Sequence, residues 1–187
     1  LKTLHDAGVP TFIVHGNHDP VEEGWTAIHE WPDSVKIFGT TEVEAEPILR
    51  EGTHLATIQG ISYARRDTTE NLANRYVRAE GTPFAIGVLH CNVGSVSEHA
   101  PYSPCSLSDL AGAHLDYWAL GHIHQRQILR DARPMVAYCG NLQGRSFKPT
   151  ERGAKGALLV EVDGTSVGTD FLPLDVARFE ELTIDVA

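Results

Sequence analysis

Four short apolar runs in this chain end abruptly in polar clusters, and no other feature restricts its fold as tightly. Phe12-Ile13-Val14 leads to Gly16-Asn17-His18-Asp19, and Val88-Leu89 leads to His90-Cys91-Asn92. Ala119-Leu120 leads to Gly121-His122-Ile123-His124, and Tyr138 leads to Gly140-Asn141. A short continuous apolar run reads as a strand buried on both faces, the pattern of parallel sheets. In such sheets reactive groups collect just beyond the C-terminal strand ends. The expected fold is therefore α/β, with a site assembled from strand-end loops.

The rest of the pattern agrees with this. Strands are expected at 11–14, 35–38, 54–61, 85–89, 117–120, 135–138, 157–162 and 166–172, the last two joined as a hairpin through Asp163-Gly164. One helix is expected to start at Asp67, with Glu70 completing a capping box and Leu72, Ala73, Tyr76 and Val77 buried. A second is expected to start at Ser106, with Asp109 in the same relation and Leu107, Leu110 and Ala111 buried. Many strands and few helices imply two sheets flanked by helices. With 187 residues and no linker, one domain over 1–187 is expected. The opening "LKTLHDAGVP" reads as the end of a helix, and "RFEELTIDVA" stops inside a strand-like run, so an excised piece of a longer chain is expected.

Composition narrows the function classes. The net charge of -10 argues against a protein that coats nucleic acid wholesale. Positive charge is nevertheless concentrated in one segment. Residues 126–155 hold seven basic residues (Arg126, Arg130, Arg133, Arg145, Lys148, Arg152, Lys155) against Asp131 and Glu151, directly after "GHIH". A solvated basic face and a phosphate-binding one both fit that segment. No apolar run approaches the roughly 20 residues of a membrane span. Cys91, Cys105 and Cys139 form no C-x-x-C pair and are odd in number, which points to a reducing, cytoplasmic setting with three small buried hydrophobes.

His122 and His124 are two apart, so in extended backbone both imidazoles point the same way. Two imidazoles on one side suit Zn, Mn or Fe, and His90 and Asn17 complete an N/O set. His5, His29, His54, His99 and His114 lack a strand-end context and read as structural or surface groups.

In this order, "GNHD", a strand-terminal "LH" and "GHIH" resemble the later motifs of the calcineurin-like metallophosphoesterases. The stretches "VLHCNVGS", "YSPCSLSDL", "DYWALGHIHQRQIL", "YCGNLQGR" and "KGALLVEVDG" are similar to the SbcD-type DNA repair exonucleases, in their YhaO-like branch, over most of residues 10–165. The resemblance implies a four-layer αββα sandwich and two divalent metal ions, Mn first, with Mg, Fe or Zn as alternatives. Asn17, His90 and His122 match ligands of one metal, and His124 matches a ligand of the other. His18 matches the non-ligand histidine that stabilises the transition state or protonates the leaving oxygen, with Asp19 as the carboxylate that orients it. Arg126, Asn141 and Arg145 are the candidates for holding substrate phosphates. The implied partners are DNA, an SMC-like ATPase subunit and a second copy of the chain, with no membrane.

One departure matters. The family's first two motifs, D-x-H and G-D-x-x-D, supply two carboxylates and a histidine, including the bridging aspartate. Neither occurs in these 187 residues. The N-terminally incomplete domain is expected to keep three ligands for one metal and one for the other, and to be inactive alone. The closing "LDVARFEELTIDV" resembles the run into the family's capping region, itself absent. Two rivals stand beside DNA hydrolysis: a phosphoesterase acting on nucleotides or phosphoproteins, and a non-catalytic module that docks an ATPase.

Overall fold

The computed structural model, which describes residues 1–23, 30–94 and 102–185, centres on a six-stranded mixed sheet. His29 and His99, read above as structural or surface groups, lie outside the described residues. Helix α1 (Lys2–Asp6) leads to β1 (Thr11–Ile13), which pairs in parallel with β2 (Val35–Ile37). Strands β3 (Glu44–Arg50) and β4 (Thr53–Gly60) form an antiparallel hairpin, followed by β5 (Ala85–His90). A short parallel pair, β6 (Asn92–Val93) and β7 (Pro104–Cys105), precedes helix α2 (Leu107–Gly112). Then come β8 (Tyr117–Gly121), β9 (Gln127–Arg130) and β10 (Met135–Tyr138), and finally the hairpin of β11 (Gly156–Asp163) and β12 (Ser166–Pro173).

The large sheet has the order β3-β4-β5-β8-β10-β9. Its four central strands run parallel, and both edge strands are antiparallel to their neighbours. Every strand expected from the sequence is present within one or two residues. Four strands were not expected: the short pair β6 and β7, and β3 and β9, which are the edges of the large sheet. Strand β3 carries Glu44, Glu46 and Pro47, residue types that an edge tolerates and that mask a strand signal.

Alternation within the strands sorts the core onto two faces. On one, Trp118, Leu120, Val136 and Tyr138 pack with Leu72, Tyr76 and Leu110. On the other, Tyr117, Met135 and Ala137 pack with Phe84 and with Leu158, Val160 and Val167 of the β11–β12 hairpin. The described layers are thus helical turns, six-stranded sheet and hairpin, the mixed α/β class expected from the pattern. Each large apolar side chain buried here contributes on the order of 1.5–3 kcal/mol.

A single carboxylate ties the opposite end of the sheet from those strand-end clusters. Asp116, just before β8, is 2% exposed and accepts from the Ala85 N–H at 2.7 Å and from Arg78 at 2.6 Å, and it pairs with Arg133. Burial alone would raise its pKa, but the Ala85 N–H, Arg78 and Arg133 outweigh burial and hold the carboxyl below its ordinary value.

Helix α2 begins as expected, with the reciprocal Ser106–Asp109 capping box, and buries Leu110; Leu107 is exposed and Ala111 half-buried. The helix expected from Asp67 is instead one 3-10 turn, Leu72–Arg75. Its backbone and neighbours are satisfied from elsewhere: the Leu72 N–H donates to Ser103 Oγ, Asn71 to Asp109, and Gln59 to the Val77 carbonyl. Glu70 pairs with Arg75 rather than capping. Leu72, Ala73 and Tyr76 are buried as expected, whereas Val77 is 73% exposed. Cys91 and Cys105 are buried and free, but Cys139 is exposed, because it lies just past the end of β10. No helix among the described residues is long and apolar enough to cross a membrane.

Candidate metal centre

The loop after β1 is fastened to the end of β4. The His15 N–H donates to Ser62 Oγ at 3.0 Å, and its carbonyl accepts from the Tyr63 N–H at 3.0 Å. This places buried Asn17 beside the end of β5, where His90 Nε2 lies 2.8 Å from Asn17 Oδ1. The approach requires glycine at position 16, since a Cβ there would lie 2.3 Å from His90 Nδ1.

His122 follows β8, the parallel neighbour of β5, and its ring meets that of His90 edge to face with centroids 5.2 Å apart. Tyr63 stands against His90 at 5.3 Å and Tyr102 against His122 at 5.6 Å, walling the pair with aromatic rings. His122 adopts φ +105°, a conformation that costs a non-glycine residue about 1–3 kcal/mol and that clusters at functional sites.

Burial, reinforced by His122, pushes the His90 pKa down to about 3, so its imidazole is neutral at physiological pH. A neutral ring keeps one nitrogen lone pair, which is what a cation needs. The donors brought together, Asn17 Oδ1 with the rings of His90 and His122, fit one divalent cation of the Zn, Mn or Fe type. No group of three or more His, Cys, Asp or Glu side chains is arranged to hold a metal among the described residues. The third donor here is an amide, and no carboxylate joins the cluster.

A cavity of about 480 Å³ opens on this cluster, lined by Asn17, His18, His122 and His124, with Arg66, Arg145 and Lys148 among the other walls. His18 is solvent-exposed at its edge. Asp19 does not bear on His18 as expected. Its Oδ2 lies 3.0 Å from His15 Nδ1 and its Oδ1 accepts from the Gly16 N–H at 2.9 Å, so the carboxylate folds the turn that presents Asn17.

Of the three residues considered for phosphate, only Arg145 faces the cavity. Arg126 lies over the Phe171 ring at 4.8 Å, and Asn141 donates to Glu151 at 2.9 Å. Two residues at the site carried no sequence signal. Arg66 belongs to the loop after β4, and Glu151 ends a 3-10 turn, Pro149–Glu151, 27 residues after His124. Glu151 approaches His124 Nδ1 at 2.5 Å. Burial alone would raise its pKa, but the hydrogen bonds from His124, Asn141 and the Arg145 N–H outweigh it and bring the carboxyl down to about 2.

Residues 1–126 match the family described as Calcineurin-like phosphoesterase. The uncharacterized metallophosphoesterase YhaO of Bacillus subtilis is 40% identical over 186 residues, covering 100% of this chain and 45% of that protein. The DNA double-strand break repair protein Mre11 of Sulfurisphaera tokodaii is 26% identical over 192 residues, again all of this chain and 46% of the relative. Its counterpart from Methanocaldococcus jannaschii is 27% identical over 200 residues, 99% of this chain and 49% of the relative. The chain spans a little under half the length of each. Matched by the family over most of its length and by a relative 40% identical across it, the chain belongs to the calcineurin-like phosphoesterases.

Proposed function

We propose that this chain is part of a metal-dependent phosphodiesterase that hydrolyses DNA in the manner of a repair exonuclease. The observation that carries the reading is the single cavity onto which Asn17, His18, His122 and His124 open together with three cationic side chains, Arg66, Arg145 and Lys148. The likeness to proteins named for DNA double-strand break repair supports DNA over smaller phosphoesters.

In this reading Asn17, His90 and His122 would hold one divalent ion and His124 would contribute to a second, with Mn in both places. Such ions act as Lewis acids on the phosphoryl group. The chain's own residues do the rest. His18, exposed at the rim, gives a proton to the departing sugar oxygen. Arg145, Lys148 and Arg66 neutralise flanking phosphates and hold the scissile one against the histidines. Tyr102 and Tyr63 keep His122 and His90 from turning and exclude water from their edges. The whole protein is further proposed to work in the cytoplasm with an SMC-like ATPase subunit and as a homodimer.

The test offers the whole protein, with Mn(II), linear duplex DNA with free ends and a cyclic dinucleotide. Release of nucleotides from DNA ends is the expected result. Exclusive hydrolysis of the cyclic dinucleotide would replace DNA with a small nucleotide as the substrate.

A further inference from the structure

We propose that Glu151 is the positioning residue of this site: it fixes the tautomer of His124 and ties that histidine to the backbone that carries Arg145. The inference rests on the reading of His124 as a metal ligand. Glu151 is 6% exposed, and its carboxylate meets His124, Asn141 and the Arg145 N–H. Its Oε1 lies 2.5 Å from His124 Nδ1; its Oε2 accepts from Asn141 Nδ2 at 2.9 Å and from the Arg145 N–H at 3.1 Å. An ionised carboxylate only accepts hydrogen bonds, so His124 Nδ1 must carry the proton. The lone pair is then left on Nε2, the nitrogen not engaged by Glu151.

The surroundings make this arrangement stiff. Lys155, 5% exposed, donates from Nζ to the His124 carbonyl at 2.9 Å and to the Thr150 carbonyl at 2.5 Å. The Asn141 N–H donates to the same His124 carbonyl at 3.3 Å. Ring and backbone of His124 are thus held by different residues. Gly144 explains how the Arg145 segment comes so close, since a Cβ there would lie 2.3 Å from the Glu151 carbonyl oxygen. A carboxylate that bonds a ligand imidazole on one oxygen and a phosphate-facing segment on the other couples the two halves of the cavity.

A glutamine at 151 keeps the shape but has one acceptor oxygen in place of two. It can serve His124 or the Asn141–Arg145 side, not both. Nitrogen NMR of the imidazoles in the metal-free 187-residue chain reads the consequence, with His124 assigned through a His124→Gln variant. In the unmodified chain, His124 is expected as the Nδ1–H tautomer. In Glu151→Gln it is expected as a mixture. A carboxylate serving stability alone would leave the tautomer untouched. An Nε2–H tautomer in the unmodified chain, or an unchanged tautomer in Glu151→Gln, overturns the inference. A correct tautomer with no Mn(II) uptake at all would instead overturn the metal reading on which it rests.

Discussion

His90 Nε2 stands 2.8 Å from Asn17 Oδ1, joining two strand-end loops that are 73 residues apart in the chain. The contact exists because residue 16 has no side chain and because β5 ends at His90.

Gly16→Ala follows from that contact. The added Cβ would fall 2.3 Å from His90 Nδ1, and the ring, held by Asn17 and Tyr63, would have to turn away. The substitution is expected to cost about 1–3 kcal/mol in urea unfolding and to weaken Mn(II) binding at least tenfold. Unchanged Mn(II) affinity would show that His90 need not face Asn17.

His18→Ala separates proton transfer from metal binding. His18 lines the cavity but is solvent-exposed, outside the Asn17–His90–His122 cluster. In the whole protein, turnover is expected to fall about 10²–10⁴-fold, the usual worth of a general acid, with Mn(II) affinity nearly constant. Equal losses in both would mean that His18 is itself a ligand.

Much of this was legible in the sequence because a buried parallel strand is a short apolar run, and Met135–Tyr138 was read to the residue. Convergence of Asn17 with the strand-end histidines followed from the same logic. What stayed hidden depends on contacts distant in sequence. Glu151 sits in a turn with no apolar periodicity, and it meets His124 from 27 residues away, with Gly144 letting the Arg145 segment close on its backbone. Asp19 is adjacent to His18 in sequence, yet its bonds go back to His15 and Gly16. The segment after Asp67 had a helical pattern, but hydrogen bonds to Ser103, Asp109 and Gln59 competed successfully for it.

Asp116 ties stability to pH on the acid side. Its folded pKa lies below the ordinary value of 3.8, so its stabilising contribution is complete above that value and is lost as pH falls through the lowered one. Asp116→Asn is expected to cost about 3 kcal/mol at neutral pH, since it leaves Arg78 and Arg133 without their buried partner. Between pH 4 and pH 2 its stability should fall less steeply than that of the unmodified chain. Parallel acid-denaturation curves for the two would remove Asp116 from this role.

The 187-residue chain by itself is expected to bind Mn(II) weakly and to cleave DNA negligibly. Two imidazoles and an amide cannot replace bridging carboxylates in charge or geometry. Robust Mn-dependent cleavage by purified residues 1–187 contradicts this.

The most direct measurement is pulsed EPR of Mn(II) added to the chain, which detects nitrogen nuclei bonded to the ion. Imidazole nitrogen coupling is expected in the unmodified chain, reduced in His90→Ala and in His122→Ala, with weaker uptake in Asn17→Ala. Mn(II) bound without nitrogen coupling, or coupling indifferent to both histidine substitutions, would contradict the metal centre.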